Sequence, residues 1–467
     1  MRKFLKTTLT AVMAFGMVFS ASCGKTPADS ENNGKNYASE EYDYSAFEDE
    51  LVMHISGWVS PKPSSASQNW TTDYCTQATY NDIADCGLNA IYGLYEPWGD
   101  VINGKNANER ALEYAEKAGI KFYLRDFAIN AALIEDDESA VHDVFAKYLK
   151  YDSFGGALIV DEPSTRQFEE IATMSANWRK YLGDKHFYIN LNPAAGSAQQ
   201  VGINEGETYR EHYIRRFIKD TKPAALSYDH YPLLKDGWGE PKMPVDYLLN
   251  LEICAEEAQN AGIPLWVFIQ SMSYANNTRR PTESEIRWQV LCSMAYGVKG
   301  YQYFCYWTPS DASIPEANEA MVAPDGKKTD LWYSAQTVNR EVLAWDHVYL
   351  SYEWTGTMTV LGEGNAKNKN FTMLEHAFTE HERIKSVKSS QDVIIGTFAD
   401  SFDNQAFMFV NFSDPGLKTE SRIETEFYNA SKAVIYKNGE RTVEELKNGK
   451  LELTLEAGNG AFVIPLQ

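Results

Sequence analysis

The chain has 467 residues, 44% of them hydrophobic and 13% aromatic, enough to bury one large core and a second, smaller one. Its formal charge of -22 repels nucleic acid and anionic membrane surfaces, so neither is expected as a partner. Nor does that charge point to a polyanionic substrate.

Arg2, Lys3 and Lys6 form a basic head, and the apolar run from Leu9 to Phe19 that follows is too short to span a bilayer. Ser20-Ala21-Ser22 then precede Cys23, the order of a secretory signal. Ser-Ala-Ser-Cys resembles a bacterial lipobox, with Ser20 where that motif usually has Leu. The resemblance implies a lipoprotein signal peptide over 1–22 and lipidation of Cys23, and hence a lipid-anchored place in the cell envelope, on the periplasmic or surface side of the outer membrane. The membrane is then met only through the anchor. From Gly24 to Glu41 the residues offer little to bury, so 23–48 is expected to be a flexible tether.

From Leu51 to about Leu350 a short apolar run ends in polar or aromatic residues, an amphipathic stretch follows, and a Gly or Pro turn leads to the next run. Eight such runs occur, at 52–58, 90–96, 121–126, 156–162, 186–192, 225–231, 265–270 and 301–307. Continuous apolar strands separated by helices predict a parallel sheet buried on both faces. Cys86-Gly87, Ala118-Gly119 and Ala261-Gly262 are the helix-ending turns that return the chain to a strand. Eight repeats predict an α/β fold, a closed (β/α)8 TIM barrel over 49–354. No GxGxxG or GxxxxGK[ST] loop follows the first strand, so no nucleotide cofactor is expected.

Beyond Trp345 alternating runs at 392–398, 406–412, 451–455 and 460–464, with a hairpin at 433–440, predict an antiparallel β-sandwich over 355–467. Beyond Cys23, cysteines stand at 75, 86, 254, 292 and 305. This odd set lacks metal-ligand spacing and argues against a zinc site or a disulfide framework, leaving a Cys75–Cys86 bridge as the one pairing considered.

In such a barrel the strand C-termini carry the site. They supply Trp58, Glu96, Trp98, Asp126, Asp161, Glu162, Asn190, Asn192, Asp229, Tyr231, Gln270, Tyr274 and Trp307. Aromatic faces stack on a pyranose while amides and carboxylates take its hydroxyls, so the expected ligand is a carbohydrate. The sharpest feature is Val160-Asp161-Glu162-Pro163 at strand four. Adjacent residues at a strand end point to opposite sides, so one of the pair faces the mouth and the other orients it. Glu162 beside an ionised Asp161 is expected to hold its proton, as a general acid requires. The pair also suits the start of a helix at Pro163.

Asp161-Glu162-Pro163 is similar to the Asn-Glu-Pro of the clan of retaining glycosidases that includes the family 42 β-galactosidases, in which the Glu is the acid/base. Ser227-Tyr228-Asp229-His230-Tyr231 resembles that clan's strand-six segment, with Tyr231 at the Tyr that contacts the nucleophile. The region from Ala295 to Trp307 resembles its strand eight, where a Trp floors the sugar subsite. The resemblance implies a β-galactosidase-like glycoside hydrolase with Glu162 as acid. It departs at Asp161, at Asp229, and at strand seven, where Gln270 stands for the nucleophilic Glu. Asp229 is then the candidate second carboxylate, or the enzyme inverts with a water activated by Asp229, Glu96 or Asp126. Alternatively the Asp-Glu pair resembles that of the family 20 and 123 N-acetylhexosaminidases. That likeness implies Asp161 positioning a 2-acetamido group, Tyr231 or Tyr274 bonding its oxygen, and no protein nucleophile. A third reading is a non-catalytic glycan-binding surface lipoprotein, suggested by Gln270.

Overall fold

The structure, a computed structural model, describes residues 37–183, 185–275, 277–309 and 318–467. The signal segment and Cys23 lie outside the described residues. No helix among those described is long and apolar enough to cross a membrane.

Eight strands form one parallel sheet: β1 (His54–Trp58), β2 (Ala90–Tyr92), β3 (Lys121–Leu124), β4 (Phe154–Asp161), β5 (His186–Asn190), β6 (Leu226–Tyr228), β7 (Leu265–Gln270) and β8 (Gly300–Phe304). Their order is β5-β4-β3-β2-β1-β8-β7-β6. The circle closes between β5 and β6 through a parallel bridge of Leu191 to Tyr228, where the Leu191 N–H donates to the Ser227 carbonyl at 2.9 Å. Each predicted apolar run overlaps one of these strands, and helices separate them. Gly119 and Gly262 end their helices in the left-handed conformation at φ 75° and 66°, which a residue without Cβ takes at no steric cost.

The barrel is filled with side chains, as its size requires. Near its base, alternate strands contribute His54, Tyr123, His186 and Trp266. His54 stacks on Trp266 at 3.8 Å, and His186 meets that indole edge-on at 4.7 Å. Burial holds both imidazoles neutral, His54 down at about 3 and His186 at about 4. Above them Ser227 links the hydroxyl of Tyr188 (2.9 Å), the amide of Gln302 (2.9 Å) and the Asn190 side-chain oxygen (3.1 Å).

The C-terminal part is two antiparallel sheets. The larger joins β9 (Tyr352–Val360), β11 (Val393–Asp400), β12 (Gln405–Asn411), β14 (Lys432–Lys437), β15 (Glu440–Glu445) and β17 (Gly460–Leu466) in the order β9-β11-β12-β17-β14-β15. The smaller has the order β10-β13-β16, from β10 (Ile384–Ser389), β13 (Ser421–Phe427) and β16 (Lys450–Leu455). Val393, Ile395, Phe407 and Phe409 face the small sheet, while Ile394, Met408, Val410 and Phe462 join the barrel's core. The central strands β11, β12 and β17 are therefore buried on both faces, which is why β12 reads as an unbroken apolar run. Trp345 seals the junction, stacked between Tyr436 (5.7 Å) and Phe462 (5.6 Å).

One expectation is corrected. Residues 37–48, assigned to the tether, are pinned to the C-terminal sheets: the Tyr37 hydroxyl donates to the Arg383 carbonyl (2.8 Å), Tyr44 to Asp400 (2.7 Å), and Glu41 receives Tyr436 (2.6 Å) and Arg441. Their aromatic rings supply apolar surface to bury: Tyr37 and Tyr44 are each 5% exposed. Cys75 and Cys86 are buried and free, not bridged.

Candidate active site

A cavity of about 730 Å³ opens at the C-terminal ends of the barrel strands. Of the residues selected from sequence, it is lined by Trp58, Trp98, Asp161, Glu162, Asn190, Asn192, Asp229, Tyr231 and Tyr274.

Asp161 and Glu162 both face the cavity, against the alternation expected of a strand end. Two backbone irregularities explain this. The pairing of β4 with β5 slips between Leu158 and Val160, and Glu162 has φ 49°, in the left-handed region. That conformation is costly for a residue with a Cβ and persists only where neighbours enforce it. Here the Glu162 N–H donates to the Asn190 carbonyl at 2.8 Å, and the Asn192 amide donates to the Glu162 carbonyl at 2.9 Å. Val59, a β-branched residue on the cavity wall, is likewise held at φ 68°.

Three carboxyl groups meet. Asp161 keeps surface toward the open cavity, yet the surrounding wall desolvates it and Glu162 adds like charge. Together they push its carboxyl up to about 7, against a hydrogen bond from Asn190. Asp229, buried behind them, is driven well above the carboxylate range by burial, then by the charges of Glu162 and Asp161. It accepts from the Asn190 amide at 2.8 Å and shares a hydrogen bond with Glu162. The environments that favour a bound proton are thus at Asp161 and Asp229. Burial, invisible in a dipeptide, outweighs adjacency. Clustered carboxyls of this kind can store and deliver a proton near neutrality.

Aromatic rings surround them. Tyr231, Tyr274 and Phe304 form a contacting trio with centroids 5.2 to 5.6 Å apart. Trp58 meets Phe268 edge-on at 5.6 Å. Trp98, Tyr95, Leu94 and Arg125 come from the β2 and β3 loops across the mouth.

Four selected residues are directed elsewhere. Glu96 is 2% exposed and bonded to the Ser60 hydroxyl, and burial pushes its carboxyl up to about 7. Asp126 caps the helix Phe127–Glu135, accepting from the Ala128 N–H (3.0 Å) and the Tyr148 hydroxyl (2.7 Å). Gln270 is 0% exposed, its amide held by the backbone of the 233 and 272–279 segments. Trp307 is buried against Tyr74 at 4.9 Å, and Phe304 takes its place at the cavity. Sequence reasoning missed Arg125, Phe268 and Phe304. Phe268 stands two residues before Gln270, where the period-two rule applied one step further down would have found it; Phe304 was hidden because its strand ends at Phe304, three residues before the end of the predicted run.

Among the described residues, Glu252, Glu375 and His376 are close enough to hold a metal ion. Glu252 already accepts the N–H groups of Glu375 (2.6 Å) and His376 (3.1 Å), Glu375 pairs with Arg210 (2.7 Å), and His376 with Glu256 (2.7 Å). The donors are occupied by protein partners and lie apart from the cavity.

No family model matches the chain, and no curated protein matches it. Among solved structures, a β-galactosidase from the psychrophilic Marinomonas ef1 is similar over 66% of this chain and 63% of its own, at 10% identity and a TM-score of 0.47. This chain therefore spans less than two thirds of that protein. An Anoxybacillus α-amylase is similar over 91% of this chain and 99% of its own, at 10% identity and a TM-score of 0.47. A glucosidase from Croceicoccus marinus is similar over 89% and 95%, at 10% identity and a TM-score of 0.44.

Proposed function

We propose that the chain is a glycoside hydrolase that cleaves extracellular oligo- or polysaccharides by carboxylate acid catalysis, and that Cys23 anchors it by lipid in the bacterial cell envelope. The observation that carries the hydrolase reading is the convergence of Asp161, Glu162 and Asp229 in a cavity walled by aromatic rings.

Glycoside cleavage needs a proton at the leaving oxygen and a second group at the anomeric carbon. Burial and neighbouring charge keep a proton at Asp229, which lies beside Glu162. Glu162 faces the cavity and Asp229 lies behind it, so the proton passes to the leaving oxygen from Glu162. Asn190, donating to Asp229, stabilises the charge left on the pair.

A second protein group would have to face the acid across the sugar, as nucleophile or as base to a water. Asp229 lies behind Glu162 and Gln270 is turned away from the cavity. This favours a substrate that brings its own nucleophile, a 2-acetamido sugar. Its carbonyl oxygen bonds to the anomeric carbon as the glycosidic C–O bond breaks, and Asp161 holds the acetamido N–H. Water then opens the cyclic intermediate, returning its proton to the Glu162–Asp229 pair. A β-galactosidase-like reaction with Asp161 or Asp229 as nucleophile is the second reading.

The test is a panel of aryl β-N-acetylhexosaminides and plain aryl β-hexosides, with wild type beside Glu162→Gln. Phenol release from the N-acetyl sugar, reduced about 10²–10⁴-fold by the substitution, is expected. Faster release from plain hexosides transfers the second role to a protein carboxylate. Glycan binding without release, unchanged in Glu162→Gln, replaces the hydrolase with a binding protein.

A further inference from the structure

The cavity wall carries a cation whose role the proposed chemistry leaves open. Arg125 ends β3 with its carbonyl held by the Asn108 amide at 2.9 Å, and its side chain lines the cavity. Its guanidinium lies over the Phe127 ring at 5.1 Å, and Phe127 meets Trp98 edge-on at 5.4 Å. Phe127 is 52% exposed and Trp98 38%, so arginine and rings form an open ledge at the mouth.

Four other shielded arginines are paired with carboxylates of the protein. Arg110 pairs with Asp73 (2.6 Å), Arg210 with Glu256 (2.6 Å), Arg279 with Glu285 (2.6 Å) and Arg287 with Glu341 (2.7 Å). Arg125 makes no side-chain hydrogen bond or ion pair with any described residue. Desolvation acts against its charge, and the carboxylate that acts in its favour is Asp161, which itself tends to stay protonated. A partly desolvated cation without a counter-charge is costly, and its free donors are a fork suited to a planar or tetrahedral oxyanion.

We infer that Arg125 selects a substrate bearing an oxyanion, a hexuronate carboxylate or a sulfate ester, that docks on the Phe127–Trp98 ledge. The inference rests on the proposed reading of this cavity as a sugar site. It requires a single local contact, because the chain's overall charge of -22 opposes anions at long range.

The test compares wild type, Arg125→Met and Arg125→Lys. Thermal unfolding is followed with N-acetylglucosamine, its 6-sulfate and glucuronate. In parallel, nitrophenol release is read from the 4-nitrophenyl β-glycosides of the same three sugars. At least one anionic sugar is expected to raise Tm more than the neutral one, which identifies sulfate or carboxylate as the group recognised. Arg125→Met is expected to lower the anionic-to-neutral ratio of kcat/KM roughly 10- to 100-fold, while Arg125→Lys retains part of it. Equal Tm shifts for neutral and anionic sugars, no shift with either anion, or a preference that survives in Arg125→Met would overturn the inference. Anion-dependent stabilisation without nitrophenol release supports Arg125 and removes the hydrolase; release from the neutral glycoside alone does the reverse.

Discussion

Replacing Gln270 by Glu would supply the carboxylate that the retaining-glycosidase pattern places at the end of strand seven, and the structure predicts damage instead of gain. The Gln270 amide donates to the carbonyls of Arg279 (2.9 Å), Met272 (3.3 Å) and Leu233 (3.4 Å), and its oxygen accepts from the Leu233 N–H (3.1 Å). Glutamate keeps the acceptor but turns the donor into an acceptor facing three carbonyls. A protonated glutamate still donates once, so at pH 5 the penalty is about 1 kcal/mol. At higher pH it must ionise in a site with no exposure, and each unit by which its pKa rises adds about 1.4 kcal/mol. Because the folded-state pKa is raised, stability is lost as pH rises through it, giving a penalty of about 4 kcal/mol by pH 8. Urea unfolding at pH 5 and pH 8, followed by tryptophan fluorescence, measures both numbers. Equal stability of variant and wild type at both pH values, or a glycosyl-enzyme trapped on residue 270, would refute the reasoning.

Glu96→Gln should act on stability alone. With its carboxyl pushed up to about 7 in the fold, Glu96 favours folding below the unfolded pKa and loses that advantage as pH rises through 7. The variant should therefore be more stable at pH 8 by up to about 3 kcal/mol, with the gain vanishing below pH 4.5 and kcat/KM little changed. His54 behaves with the opposite sense, its folded pKa depressed to about 3 against about 6.5 when unfolded. Its contribution is complete above pH 6.5 and lost on acidification. In His54→Phe, which can keep the stack on Trp266, the slope of unfolding free energy against pH between 6.5 and 4 should be shallower by about 1.4 kcal/mol per unit. An unchanged slope would mean that the imidazole is protonated in the fold.

The sequence by itself determined the barrel, because a strand buried on both faces must be apolar throughout and the helix-to-strand turns are written in glycine. Eight runs gave eight strands, and the alternating C-terminal runs gave β11, β12, β14 and β17 of the larger sheet and β16 of the smaller. The strands β10 and β13 escaped because their sheet covers the core with one face only; Ser421–Phe427 alternates buried and exposed residues with just Ile423 and Phe427 apolar and inward. Position at a strand end was also legible, and it brought Asp161, Glu162, Asn190 and Asp229 to one cavity. Tertiary structure decided what each does there. The register slip in β4 and the left-handed turn at Glu162 aim two adjacent carboxyls the same way. Burial, which sums over every element around a group, raises the carboxyls of Asp161 and Asp229. Glu96, Asp126, Gln270 and Trp307 look like rim residues in one dimension, and each is claimed by a partner that the chain meets only when folded: Ser60, Tyr148, the 272–279 backbone and Tyr74. A strand end fixes where a side chain starts; which hydrogen bonds and rings compete for it is a property of the whole packed molecule.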